Sequence, residues 1–436
     1  MKTISAFCFS AFCIGYLVFS PDAARGATLI NDTETEAVLA ELVAPLASAA
    51  GIGAGRLKIN IVNSDEFNAF VRGGEEVFVY TGLLIQIKSP AALQAVVAHE
   101  LGHTVGGHTI QMSARMDAEI KRTMIIQALG IGLMVAGGNP SLGAGVLAGS
   151  SGIARQSLLA FSRDEERMAD DLGISLMTKA GLNPNGFLEV FEQMNEITGA
   201  AESKINPNRV NHPPTAERLK NVRDKIEDLP RQKIPAQNSA KTTAQYELVR
   251  AKLIGYLENE KRVANLYPYP DKSDPAIYAR AIANMRGGNL AAARAGVQTL
   301  ISRKPENPYF YELLGDIEYQ YGHYDDSVAA YEKSLALSKD APQIQTALAL
   351  VLSERKKSGD NARAIELCKR AILSQPMPLT YWVLARAYAG GRGDWALAEY
   401  YNMLGDSKNA EKHAKKARNT LPKNSPEYIK SGDLIK

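Results

Sequence analysis

Residues 95–107 read Ala95-Val96-Val97-Ala98-His99-Glu100-Leu101-Gly102-His103-Thr104-Val105-Gly106-Gly107, and the fold and the chemistry both turn on them. Pro90-Ala-Ala-Leu opens the stretch as a proline in the first turn of a helix should. Apolar Ala95–Ala98 then runs into His-Glu-Leu-Gly-His. On a helix, His99 and His103 stand one turn apart on the same face, so both imidazoles reach one ion. Glu100 is offset by about 100°, one helical step, which places it beside the ion where it can take a proton from water. A His-Glu-x-x-His pattern also arises by chance on solvated helices. The apolar lead and the internal Gly102 suit a buried, closely packed helix instead.

Zinc with two histidines needs a third protein ligand and an open position. The next helical segment, Ser162-Arg-Asp-Glu-Glu-Arg-Met-Ala-Asp170, supplies candidates. Glu166 and Asp170 are four apart and share a face, so one carboxylate can bind the ion while the other orients a histidine N–H. Asp164 and Glu165 read as a solvated acidic helix start.

The whole chain has 436 residues, 45% of them hydrophobic, enough to bury a sizeable core in two or three domains. A net charge of +3 argues against a nucleic-acid binder. Lys2 followed by the apolar run Ile4–Phe19 and small residues at Ala23, Ala24, Gly26 and Ala27 predicts a secretory leader over residues 1–24. The apolar run is 16 residues, shorter than the roughly 20 that a membrane span needs. Losing the leader removes Lys2 and Asp22, which leaves the charge unchanged, and takes Cys8 and Cys13, which leaves Cys368 alone at an apolar helical position. An exported protein without an internal disulfide must rely on core packing or a metal.

Residues 34–50 carry apolar positions at helical spacing, whereas Leu57–Val62 and Val77–Thr81 are short, β-branched and aromatic, and predict strands. Residues 123–161 are rich in Gly, Ala, Met and Leu, with Arg155 their only charge and a breaker at Gly137–Pro140. They read as two buried helices joined by a turn or as an apolar flap with peripheral membrane contact; each half is too short to span a bilayer. Charged, proline-punctuated sequence predicts a linker over 229–243, separating a first domain of residues 28–228 from a second of residues 244–436. In the second, the segment from Asp274 realigns with the segment from Pro308, and Gly288 maps onto Gly322, which is the 34-residue tetratricopeptide period. Tyr311, Leu314, Gly315 and Tyr331 fill that repeat's signature positions. Further copies start near Pro342, with a longer turn at Lys356–Asp360, and near Leu379, where Ala410, Ala417 and Pro422 follow the spacing.

HELGH, then Glu166-Arg-Met-Ala-Asp170, then Asn211-His-Pro-Pro-Thr-Ala-Glu-Arg218 together resemble the M48 peptidase family over about residues 30–225. Export and trailing repeats resemble its periplasmic subgroup. The resemblance implies an α+β zincin-like metalloprotease domain, mostly helical with a small sheet, followed by an all-α tetratricopeptide superhelix. It implies one Zn2+ per chain on His99, His103 and Glu166, with Glu100 as catalytic base and Asp170 supporting a ligand from behind. It also implies a substrate groove along Asn68, Ala69 and Phe70 and the strand bearing Val77 and Val79, where an extended peptide adds as a strand. Arg72-Gly-Gly-Glu-Glu departs from the family's pattern just before that strand. The expected partners are unfolded or misassembled protein substrates and, through the repeats, an outer-membrane assembly complex, with the protein in the periplasm or peripheral at the outer membrane.

His108 follows His103 by five residues and lies off the ligand face, so it reads as a hydrogen-bonding or packing residue behind the ligands. His212 sits in a rigid His-Pro-Pro turn, where three roles stay open: oxyanion stabiliser, cap on the zinc at the water's position, or structural turn residue. The expected activity is metal-assisted hydrolysis of peptide bonds in misfolded envelope proteins. The rival is a periplasmic chaperone or adaptor in which the repeats dominate.

Overall fold

Ser89 and Pro90 start the helix that carries the histidines: the Ser89 hydroxyl accepts the Ala92 N–H at 3.1 Å and Pro90 takes the first position. The computed structural model describes residues 28–53, 55–107, 163–199, 215–230, 238–338 and 340–435. The expected leader over residues 1–24, the apolar 123–161 segment, His108 and His212 lie outside the described residues. The described residues form two compact units, one within 37–247 and one within 248–435 together with 28–36. The division falls inside helix α1 (Thr33–Ala49), which follows the short strand β1 (Thr28–Ile30).

In the 37–247 unit, β2 (Lys58–Asn63), β3 (Ala69–Arg72) and β4 (Glu76–Tyr80) form a sheet with β4 in the middle, parallel to β2 and antiparallel to β3. Strand β3 was not expected. It forms because Gly73 and Gly74 adopt φ of 60° and 78°, a left-handed pair that closes a hairpin between Arg72 and Glu76. Helix α2 (Thr81–Gln86) then leads to α3 (Pro90–Val105), with α4 (Arg163–Lys179), α5 (Gly186–Gly199) and α6 (Ala216–Glu227) following in chain order. Helices α4 and α5 pack on α3. Small residues make the first crossing tight: a β-carbon at Gly102 would lie 2.5 Å from the Ala169 carbonyl oxygen, and one at Gly173 would meet Phe187 and Ala98.

Helix α7 (Ala240–Leu257) begins inside the stretch expected as linker, because the Ser239 hydroxyl caps it by accepting the Thr242 N–H. After α8 (Glu260–Leu266), helical hairpins follow: α9 (Asp274–Arg286) with α10 (Leu290–Arg303), α11 (Pro308–Tyr321) with α12 (Tyr324–Leu337), and α13 (Pro342–Arg355) with α14 (Asp360–Ser374). Two more close the chain, α15 (Pro378–Ala387) with α16 (Gly391–Met403) and α17 (Ser407–Thr420) with α18 (Pro426–Asp433). The signature positions explain themselves physically. Gly315 has no side chain because the Tyr331 ring would lie 2.8 Å from its β-carbon. Cys368 is fully buried in the core of the later hairpins. Lys252 is buried within this unit among Asp32, Glu34 and Glu312, with Asp32 Oδ1 2.6 Å from its Nζ.

Candidate metal centre

Two helices build the site. From α3 come His99, Glu100 and His103, all buried, and from α4 come Glu166 and Asp170, also buried. Their i,i+4 spacing puts each pair on one face, and the Gly102–Ala169 approach brings the faces together. The two imidazole Nε2 atoms are 3.2 Å apart. Glu166 Oε1 lies 3.4 Å from His103 Nε2, and Glu166 Oε2 lies 3.5 Å from His99 Nε2. Two donors each bonded to one tetrahedral zinc stand about 3.3 Å apart, so these residues fit the ion that the donor set suggests. His99, His103 and Glu166 form the one buried three-ligand cluster among the described residues.

Behind the ligands, His99 Nδ1 donates to Asp170 Oδ1 at 2.8 Å, which fixes the tautomer and turns Nε2 toward the cluster. Arg218 from α6 holds both carboxylates. Its Nε and one terminal nitrogen each reach an Asp170 oxygen at 2.9 Å, and its other nitrogen lies 2.7 Å from Glu166 Oε2. Burial acts to push His99 down, but the hydrogen bonds and charges of Asp170 and Glu166 outweigh it and raise the imidazole to about 10. Burial would raise Asp170, yet His99 and Arg218 keep it below the ordinary carboxylate value. Glu100, Glu166 and Asp170 against Arg218 leave an excess of two negative charges when the imidazoles are neutral. That excess suits a divalent cation.

A cavity of about 60 Å³ opens beside Glu100. His99, Glu100, Asp170 and Arg218 form its polar end, and Phe67, Leu83, Phe187, Val190, Phe191 and Met194 form apolar walls. Asn68 and Ala69 also border it. The other expected groove residues are elsewhere. Phe70 points to the opposite face of β3 and stacks on Phe78, ring centroids 4.6 Å apart. Val77 and Val79 do not line a groove: they are 0% and 2% exposed, because β4 is flanked on both edges. With β4 paired on both edges, the end of the sheet on this side is β3 among the described residues.

Sequence reasoning gave Arg218 no role. Its signal was the Thr215 cap, whose hydroxyl accepts the Arg218 N–H at 3.1 Å and fixes where the first turn of α6 begins. The apolar positions 187, 190, 191 and 194 of α5 were equally legible as one helical face, but nothing in the sequence said what they faced.

Residues 33–226 match the model of peptidase family M48, and residues 278–343 match a tetratricopeptide repeat. The chain thus carries an M48 peptidase domain followed by tetratricopeptide repeats. It is 25% identical over 298 residues to the Beta-barrel assembly-enhancing protease of Escherichia coli (strain K12), which covers 67% of this chain and 60% of that protein. It is 28% identical over 187 residues to the Metalloprotease YcaL of the same strain, covering 42% and 68% respectively. It is also 28% identical over 167 residues to the Mitochondrial metalloendopeptidase OMA1 of Schizosaccharomyces pombe (strain 972 / ATCC 24843), covering 38% and 46%. The chain spans about 60% of the length of the assembly-enhancing protease it matches.

Proposed function

We propose that this chain is an exported zinc-dependent endopeptidase that cleaves misfolded or unassembled envelope proteins, its repeats recruiting clients or an outer-membrane assembly partner. One observation carries the reading: the His99, His103 and Glu166 ligand atoms lie within 4.8 Å of one another, and Glu100 lines the cavity beside them. The M48 match and the similarity to proteases named for β-barrel assembly support it, as do repeats of a protein-binding type. Among the described residues no helix is long and apolar enough to cross a membrane.

When bound, zinc supplies a Lewis acid for the scissile carbonyl and lowers the pKa of water. Glu100 takes the proton of the attacking water and delivers it to the leaving amine. Asp170 keeps His99 in the tautomer that presents Nε2. Arg218 offsets the buried charge of Asp170 and Glu166 and helps keep Asp170 ionised. Glu100→Gln in the full chain tests the assignment. It is expected to keep zinc and to lose about 10²–10⁴ in the rate of cleavage of an unfolded protein. Undiminished proteolysis by zinc-replete Glu100→Gln would remove Glu100 from the mechanism. Undiminished client binding by the same variant fits repeats that recruit independently of hydrolysis.

A further inference from the structure

We propose that the exposed face of α17, with the turn that follows it, docks on an anionic lipid surface. Residues 407–430 hold seven Lys or Arg against two Glu, a net +5 where the whole chain carries +3. Positive charge is thus concentrated in this one stretch, and the remainder of the chain is net negative. Helical geometry sorts it further. Ala410, Ala414 and Ala417 form the buried side of α17, and Lys408, Lys412, Lys415 and Lys416 fall on the opposite side, all exposed. Lys423, in the turn before α18, is exposed as well.

An ordinary solvated helix face mixes its signs. Helix α14 does so, pairing Arg363 with Glu332 and Arg370 with Glu366. The α17 face does not. Glu411 is taken by Lys415 at 2.7 Å, and Glu427 is met from α16 by Arg392 at 3.6 Å. Lys408, Lys412, Lys416 and Lys423 make no ion pair among the described residues. The first three follow one another at four-residue spacing, where like charges repel, so negative charge from outside the chain relieves them.

A lipid surface fits that need better than an acidic protein. Lysine ammonium groups are point charges on flexible stems, suited to a diffuse negative plane, whereas recognition of single carboxylates favours the arginine fork. Arg418, the one arginine of α17, is engaged elsewhere: it lies 4.1 Å from the centre of the Tyr428 ring and 3.1 Å from that residue's hydroxyl. Large apolar side chains flank the lysines in the chain, Met403 at the end of α16 being 41% exposed and Ile429 on α18 60% exposed. Lysines with exposed apolar side chains nearby in sequence have the composition of a membrane-interface surface.

Vesicle flotation with the full-length, zinc-loaded protein tests the face. Vesicles of phosphatidylcholine are compared with vesicles that also contain phosphatidylglycerol. Binding to the anionic vesicles is expected to be about tenfold or more tighter, and to be lost as salt rises from about 0.1 M to about 1 M. Each lysine lost should cost about fivefold, so Lys412→Gln combined with Lys416→Gln should weaken binding about 25-fold. Ile429→Gln should weaken it about threefold and leave its salt dependence unchanged. Every substituted residue is exposed, so the variants should melt as the wild type does. Equal binding to both kinds of vesicle, or undiminished binding by the double variant, overturns the proposal. Binding to poly-glutamate but not to vesicles assigns the face to an acidic protein and overturns it as well.

Discussion

Gly102 and Ala169 come so close that a β-carbon on the glycine would sit 2.5 Å from the alanine's carbonyl oxygen. The contact lies between His99 and His103 on one helix and between Glu166 and Asp170 on the other, so it sets the distance across which a metal must be held. Gly102→Val is expected to push α3 and α4 apart, destabilise the fold by about 1–3 kcal/mol through overpacking, and weaken zinc binding more than it weakens folding. Zinc titration and urea unfolding on the same preparation separate the two effects. Wild-type zinc affinity in Gly102→Val would show that the crossing does not gauge the site.

Asp170→Asn keeps the shape of the residue behind His99 but replaces a charged acceptor with a neutral amide. Zinc affinity should fall about 10–100-fold, read by competition with a chromogenic chelator. Arg218→Lys should move it in the same direction, because an ammonium cannot span two Asp170 oxygens and one Glu166 oxygen as the guanidinium does. Unchanged affinity in both variants contradicts the supporting role given to this pair.

Removing the metal should also cost stability, since the ligands come from two helices. With free zinc at 100 times its dissociation constant, stripping it lowers the unfolding free energy by about 2.7 kcal/mol. Melting curves before chelation, after it and after zinc is restored should show a reversible drop. Superimposable curves would mean that folding does not depend on the ion.

Glu36 gives a pH-dependent signal away from the site. Burial pushes its carboxyl up to about 7, even though the Asp32 N–H donates to Oε1 at 2.9 Å. An unfolded glutamate titrates near about 4.3, so the native chain holds this proton more tightly than the unfolded one. That contribution is complete below about pH 4.3 and is lost as pH rises through about 7. Glu36→Gln keeps an acceptor and removes the titration. Its unfolding free energy should therefore gain on wild type from about pH 5 to about pH 8 and then run parallel. A constant offset across that range rules the shift out.

Lys252 is the counter-ion of Asp32, Glu34 and Glu312, and Lys252→Met leaves those carboxylates buried without it. A loss of about 3–5 kcal/mol is expected in urea unfolding at neutral pH. A milder effect at pH 5 than at pH 8 should accompany it, because burial raises Glu34 and pushes Glu312 up to about 8, so these two carboxyls take up protons as pH falls while Asp32, held low by Lys252, does not.

The helix of residues 90–105 was legible because its cap, its proline and its apolar lead all agree on one start. Glu166 and Asp170 were legible because four-residue spacing is a helical statement in itself. The 34-residue register likewise found the hairpins, whose Gly315 and Tyr331 meet as the repeat pattern requires. Arg218 was out of reach for a different reason: it lies 48 residues from Asp170, and only tertiary packing shows that α6 aims it at both acids. The burial of Val77 and Val79 was not legible, because strand content says nothing about strand order. Once Gly73-Gly74 turns the chain back, β4 becomes the centre of the sheet and its valines become core.

Cys368 is the one cysteine among the described residues, fully buried, with its thiol pushed up to about 12 by that burial. A thiol so placed is inert until the hairpins around it separate. Its reaction with an alkylating dye is thus a clock for the opening of the repeat unit, one that requires no engineered label.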